Sequence, residues 1–152
     1  MTQDDYENAT NLKKVLSDKN REFIFHYARF DIAAIEIYLN VSITNIFCTK
    51  IASKLTRTYT DRHSLKELCK ELANVDLSKQ QQCSDWGAAK LSDEQVEYAA
   101  SDVLYLHGIR EKLIERLEKE GRFELANKCF NFLPTRVELD KKGWIDTDIF
   151  HH

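Results

Sequence analysis

Glu22-Phe23-Ile24-Phe25-His26 and Ile46-Phe47-Cys48 are the two short apolar runs on which the reading of the fold turns. Both are rich in aromatic and β-branched side chains, the composition of strands buried in a parallel sheet. Between them, Asp31 opens an apolar helical run through Ile32, Ile35, Tyr38 and Leu39. Strand, helix, strand in that order predicts a βαβ unit, its parallel strands joined by a right-handed crossover.

Upstream, residues 1–10 are polar and read as a flexible N-terminus. Leu12, Val15 and Leu16 then mark a short helix from Asn11 to near Asp18. Downstream of Cys48 the chain turns helical. Ile51, Ala52 and Leu55 mark one helix; Leu65, Leu68, Cys69 and Leu72 mark the next, with Ser64 as its N-cap. Ser78 to Gly87 reads as a polar loop. Ser92 with Gln95 forms a capping box that opens a helix to about Glu120, with a break expected near Gly108. Gly121 stops it. Phe123, Ala126, Phe130 and Leu133 give another helix, and Pro134 is placed to start a further short one through Val137 and Leu139 to Gly143. The fold class is therefore α/β, helix-rich, with about two parallel strands in one domain spanning 11–150. Two strands are few for such a domain and leave a sheet edge exposed.

Composition agrees. Hydrophobic residues make up 43% and charged residues 31% of the 152, which suits a soluble globular domain, and one proline with four glycines favours helices. No run has the length of a membrane span and the first residues lack signal-peptide character, so no membrane association is expected. Cys48, Cys69, Cys83 and Cys129 form no C-x-x-C pair; reduced thiols in the cytoplasm are the simple reading. A net charge of −3 does not mark a general polyanion binder, although proteins that hold nucleic acid through metals carry acidic clefts.

Two constellations carry chemistry. Tyr98 and Asp102 lie four residues apart in a stretch of helical periodicity, Val96, Ala99, Val103 and Leu106 supplying the apolar face. A phenol beside a carboxylate can hold water and metal, or it can be surface decoration. Asp31 follows His26-Tyr27-Ala28-Arg29-Phe30 at the carboxyl end of a strand, where open α/β sheets place their ligands. Asp is also a preferred N-cap, so by itself Asp31 reads either as a ligand or as the cap of the helix that follows.

Together, His-x-x-x-Phe-Asp after a strand and Tyr-x-x-x-Asp in a late helix resemble the second and third motifs of the DEDDy 3′–5′ exonucleases, the ribonuclease D-like proteins in particular. The resemblance extends through Cys48-Thr49-Lys50-Ile51-Ala52-Ser53, Leu55 to His63, Ser78 to Gly87 and Phe132-Leu133-Pro134-Thr135-Arg136, covering Asn11 to Phe150. It implies a ribonuclease H-like fold and metal-dependent hydrolysis of nucleic acid, RNA for preference, from the 3′ end. It further implies a two-metal site for Mg²⁺ or Mn²⁺, with Asp102 on the ion that activates water, Tyr98 orienting that water, and Asp31 on the second ion. Lys79 would meet a phosphate near the scissile bond, and His26 would face the substrate as part of its motif. Independently of the resemblance, Arg57 and Arg62 with Lys54 and Lys66 form a basic cluster around a turn, suited to tracking a nucleic-acid backbone. His26 read without the resemblance is a satisfied, partly buried imidazole, and Arg57 and Arg62 with Lys54 and Lys66 are equally a solvated basic face.

The resemblance also implies an Asp-x-Glu motif on a strand ahead of the second motif, and that strand is missing from the chain. Asp5-Tyr6-Glu7 has the spelling, but only 18 residues (8–25) separate it from His26 and nothing around it is apolar, so it reads as a chance match. The expectation is a partial, truncated domain that is inactive or weak alone. Its missing strand would come from a separately encoded N-terminal fragment, or the chain would self-associate through the exposed sheet edge. The alternative is a non-catalytic nucleic-acid-binding or assembly remnant.

Overall fold

The computed structural model describes residues 10–76 and 93–152, except the side chains of 93–104. The expectations for residues 1–9, for the Ser78–Gly87 loop with Lys79 and for the Ser92 cap lie outside the described residues. The chain divides into two compact units, one from Met1–Cys48 with Glu124–His152 and one from Thr49–Phe123.

In the first unit, α1 (Thr10–Leu16) precedes β1 (Phe23–Phe25), α2 (Ala28–Leu39) and β2 (Ile46–Cys48). The strands pair in parallel, Phe23 opposite Ile46, Ile24 opposite Phe47 and Phe25 opposite Cys48, as the two apolar runs predict. Ile46, Phe47 and Cys48 are all buried, whereas β1 is half-buried throughout. α2 packs on both strands and ends at Asn40, whose left-handed φ of 51° lets its N–H reach the Glu36 carbonyl at 3.0 Å.

Two expectations are corrected in this unit. Asp31 does not open α2: the helix starts at Ala28, and the amides of Phe30 and Asp31 both donate to the Tyr27 carbonyl at 3.1 Å. Ala28 and Ile32, one turn apart and fully buried, carry the start of the helix back by a turn. Likewise, Pro134 starts no new helix but sits inside α6 (Phe123–Leu139). Its ring removes one amide donor, yet the stripe Ala126, Phe130, Leu133 and Val137 is buried on both sides of it. The Phe130 ring packs against Phe47 with centroids 4.8 Å apart. Burial of a continuous apolar stripe outweighs one lost hydrogen bond. A five-residue π-helical turn, Asp140–Trp144, follows.

The second unit packs α3 (Thr49–Thr56) and α4 (Leu65–Leu72) against α5 (Asp93–Lys119). Ser64 caps α4 as expected, accepting the Glu67 amide at 3.2 Å. α5 runs for 27 residues with no break at Gly108. The stripe Ile109, Leu113 and Leu117, each at most 1% exposed, buries the helix immediately past that glycine. α5 closes where Gly121 takes φ +68°, with the Arg122 amide returning to the Leu117 carbonyl at 2.8 Å. No described helix is long and apolar enough to cross a membrane. Leu113→Ala should lower stability by about 3 kcal/mol, the sum of lost transfer energy and a cavity. A urea melt showing under about 1 kcal/mol would contradict this stripe as the core of the unit.

Candidate active site

Asp31 stands one turn inside α2, just beyond the carboxyl end of β1. The chain leaves the strand through His26 and Tyr27. The His26 carbonyl accepts a long hydrogen bond from the Cys48 thiol at 3.5 Å, which ties the strand exit to the end of β2. The first turn of α2 is then fixed from two sides. Ala28 and Ile32 are buried beneath it. Arg29, on its flank, makes a bidentate pair with Asp140, both nitrogens at 2.7 Å, and donates to the Ile145 carbonyl at 2.6 Å.

Among the described residues no side-chain hydrogen bond or ion pair reaches the Asp31 carboxylate. Burial pushes its pKa up from the ordinary value. The N-cap reading of Asp31 is thereby removed, since the helix begins three residues earlier at Ala28. A half-buried carboxylate with no cation beside it among the described residues is an unfavourable arrangement unless something positive is supplied. Its oxygens are the hard donors that Mg²⁺ and Mn²⁺ prefer. No cluster of three or more His, Cys, Asp or Glu forms a metal site among the described residues, so Asp31 offers one carboxylate toward such an ion.

Tyr98 and Asp102 both fall within α5, one helical turn apart in the backbone. Their side chains lie outside the described residues, as does all of Lys79.

The basic residues of the second unit separate. Arg62 is exposed. Arg57 is 3% exposed. Its guanidinium reaches the Glu71 carboxylate at 2.8 Å, the Ser53 hydroxyl at 3.0 Å and the Arg62 carbonyl at 2.6 Å. Tyr59 and Arg116 add bonds to the same carboxylate at 2.7 and 3.1 Å. Burial by itself would raise the pKa of Glu71, but the hydrogen bonds from Arg57 and Tyr59 hold it below the usual range. His63 meets the Ser53 hydroxyl at 2.7 Å, and burial together with the Arg57 charge lowers its pKa. Arg57 is thus committed to internal partners and shapes the turn that presents Arg62.

Sequence reasoning passed over two features here. Arg29 and its anchor Asp140 are 111 residues apart. Only the place of Arg29 inside the His26–Asp31 motif hinted at a role. Tyr27, an unspecified position of that motif, and Phe30, one of its named residues, both expose their rings.

Residues 1–118 match a family model described as 3′–5′ exonuclease. Ribonuclease D of Gluconacetobacter diazotrophicus is 32% identical over 110 residues, 72% of this chain and 28% of the relative, so the chain spans little more than a quarter of that protein. Brucella melitensis NrnC bound to pGG superposes with a TM-score of 0.90 at 55% identity, over 96% of this chain and 71% of that one. The same protein with bound Mg²⁺ gives 0.87 at 55% identity, over 93% and 69%. The helix-rich fold with two parallel strands is that of the ribonuclease H-like 3′–5′ exonuclease domains.

Proposed function

The chain belongs to the 3′–5′ exonuclease family, and from that membership we propose that Asp31, Tyr98 and Asp102 are its share of a metal-dependent site hydrolysing RNA from the 3′ end. The observation that carries this reading is Asp31: a half-buried carboxylate, without a partner among the described residues, at the carboxyl end of a parallel strand. Mg²⁺ in a relative supports a hard divalent cation as the missing partner, and relatives named ribonuclease D support RNA as the polymer.

Asp31 and Asp102 would hold divalent ions through their oxygens, and Tyr98 would orient the attacking water. When bound, such ions supply an activated water and neutralise the leaving oxygen. Lys79 and Arg62 would neutralise phosphates, with His26 on the substrate side. Arg57 contributes through the turn it braces. Two carboxylates are too few for the octahedral shell that Mg²⁺ demands. We therefore propose that the site needs further carboxylate ligands beside Asp31 and Asp102, and that the chain is inactive or weak without them.

The test is release of 3′-terminal nucleotides from a short RNA with Mn²⁺ by the isolated chain. Robust release that Asp102→Ala abolishes, while Asp5→Ala with Glu7→Ala leaves it intact, would overturn the need for a further motif. RNA binding that ignores EDTA would instead favour a non-catalytic nucleic-acid binder.

A further inference from the structure

We propose that His63 is a positioning residue for the nucleic-acid backbone: as a neutral imidazole it locks the 58–62 turn that presents Arg62, and its protonation in mild acid releases that turn and weakens RNA binding. The proposal rests on the reading of Arg62 as a phosphate contact and adds to it a control by pH.

The lock is a chain of hydrogen bonds with one consistent polarity. Arg57 can only donate, and its Nη1 gives to the Ser53 hydroxyl oxygen at 3.0 Å and to the Arg62 carbonyl at 2.6 Å. Ser53 is fully buried, and its hydroxyl lies 2.7 Å from Nδ1 of His63. Because the oxygen already accepts from Arg57, the single hydroxyl hydrogen is left for His63, its one acceptor among the described contacts. The satisfied arrangement therefore has Nδ1 accepting, which a neutral imidazole does and an imidazolium cannot. At the far end of the chain, Arg57 holds the main chain of Arg62 itself. The Arg62 amide also donates to the Thr60 hydroxyl at 3.1 Å, while its side chain is exposed.

Protonation breaks this pattern at its middle. An imidazolium would present Nδ1–H to the Ser53 oxygen, and the serine hydrogen would be orphaned in a buried site. The new charge would also face Lys54 of α3 and Arg57 at its end. Asp61 and the Thr60 backbone, in the turn, favour the charged form, but burial and the two cations outweigh them and hold His63 below its ordinary value. From α4, the Glu71 carboxylate is engaged by Arg57, Tyr59 and Arg116. A base held below its ordinary value binds its proton more readily once released. The lock is therefore intact at neutral pH and is lost as pH falls from the ordinary imidazole value toward the folded one. The sign is opposite to that of simple electrostatics, in which an added imidazolium would tighten a polyanion.

The experiment measures anisotropy of a 5′-fluorescein oligoribonucleotide with the full chain at about pH 7.5 and about pH 5.5, at fixed ionic strength. The comparison is His63→Asn, whose Oδ1 takes the place of Nδ1 as an acceptor but does not titrate. Other groups that titrate in this range cancel between the two proteins. At neutral pH both should bind alike. In acid the unsubstituted chain should bind about fivefold more weakly than His63→Asn, the upper worth of one exposed ion pair. His63→Phe, which offers no acceptor, should start weak at neutral pH and lack the step. Urea melts read the lock without RNA: in acid the unsubstituted chain should lose stability relative to His63→Asn. Parallel pH profiles for these two proteins, in binding or in melts, or tighter relative binding of the unsubstituted chain in acid, overturn the proposal and leave the reading of Arg62 standing. Failure of the unsubstituted chain to bind RNA at either pH overturns both.

Discussion

If, as proposed, the site needs carboxylates beyond Asp31 and Asp102, the chain mixed with a polypeptide that carries an Asp-x-Glu strand should release nucleotides from the 3′ end of a short RNA about 10³-fold faster than it does alone. The magnitude follows from ligand count. Asp31 is one carboxylate, and no described cluster of His, Cys, Asp or Glu completes a metal site around it. An octahedral Mg²⁺ bound mostly by water is weakly held and poorly placed, whereas added carboxylates fix its position against the scissile bond. Several kcal/mol of charge stabilisation in the transition state correspond to about three decades of rate.

Within that assembly, Asp31→Ala and Asp102→Ala should each return the rate to background. Tyr98→Phe should lower kcat with little change in KM, because a phenol that orients water acts in the transition state and not on the bound ground state. A rate indifferent both to the added strand and to Asp31→Ala would sink the assignment of Asp31 as a metal ligand. Arg57→Ala is a useful contrast. Its guanidinium is internal, so it should lower the melting temperature along with RNA affinity, whereas Arg62→Ala should weaken binding in a salt-dependent way and leave folding intact.

What could be read from the sequence was whatever local chemistry decides. The strands β1 and β2 are apolar runs with few other uses, Ser64 has the amide of Glu67 within reach, and Gly121 supplies a positive φ that other residues resist. The misreadings all lie where a tertiary partner outweighs a local preference. Asp31 is a good cap, but buried Ala28 and Ile32 start the helix before it. Pro134 and Gly108 are helix breakers by propensity, yet each adjoins a stripe whose burial holds the helix together. Arg57 looked like a surface cation because its acceptor, Glu71, is 14 residues on, in the helix that follows the turn. For the site, the sequence placed Tyr98 and Asp102 one turn apart on one helix and Asp31 after a strand. It did not reveal that Asp31 lacks a described partner, which is a property of packing.

Removing the carboxylate that anchors Arg29 should destabilise the first unit. Asp140→Ala is expected to cost about 3 kcal/mol, the lower end for breaking a buried pair, since Arg29 remains partly in solvent. The Asp140 side chain is 6% exposed and serves two guanidiniums, Arg29 at 2.7 Å and Arg136 at 2.8 Å. The alanine would leave Arg29 with the Ile145 carbonyl and Arg136 with the carbonyls of Trp144 and Thr147. The pH dependence has a definite sign. The hydrogen bond from Arg29 lowers the pKa of Asp140 below the ordinary carboxylate value, against the opposing effect of burial, and Arg136 adds to it. A depressed carboxylate contributes stability that is present above its unfolded pKa and lost as pH falls through its folded one. Urea melts should therefore separate parent from Asp140→Ala widely at neutral pH, and the gap should narrow in acid. Asp140→Asn, which keeps the shape and loses the charge, should fall between them with a flatter acid limb. A difference under about 0.5 kcal/mol at neutral pH, or one that acid does not narrow, would show the pair to be marginal surface electrostatics. Arg29 braces the same helical turn that carries Phe30 and Asp31, so Asp140→Ala should also weaken Mn²⁺ binding under conditions where the chain remains folded. Loss of stability without any loss of metal affinity would mean that the turn is held in place by Ala28 and Ile32 alone.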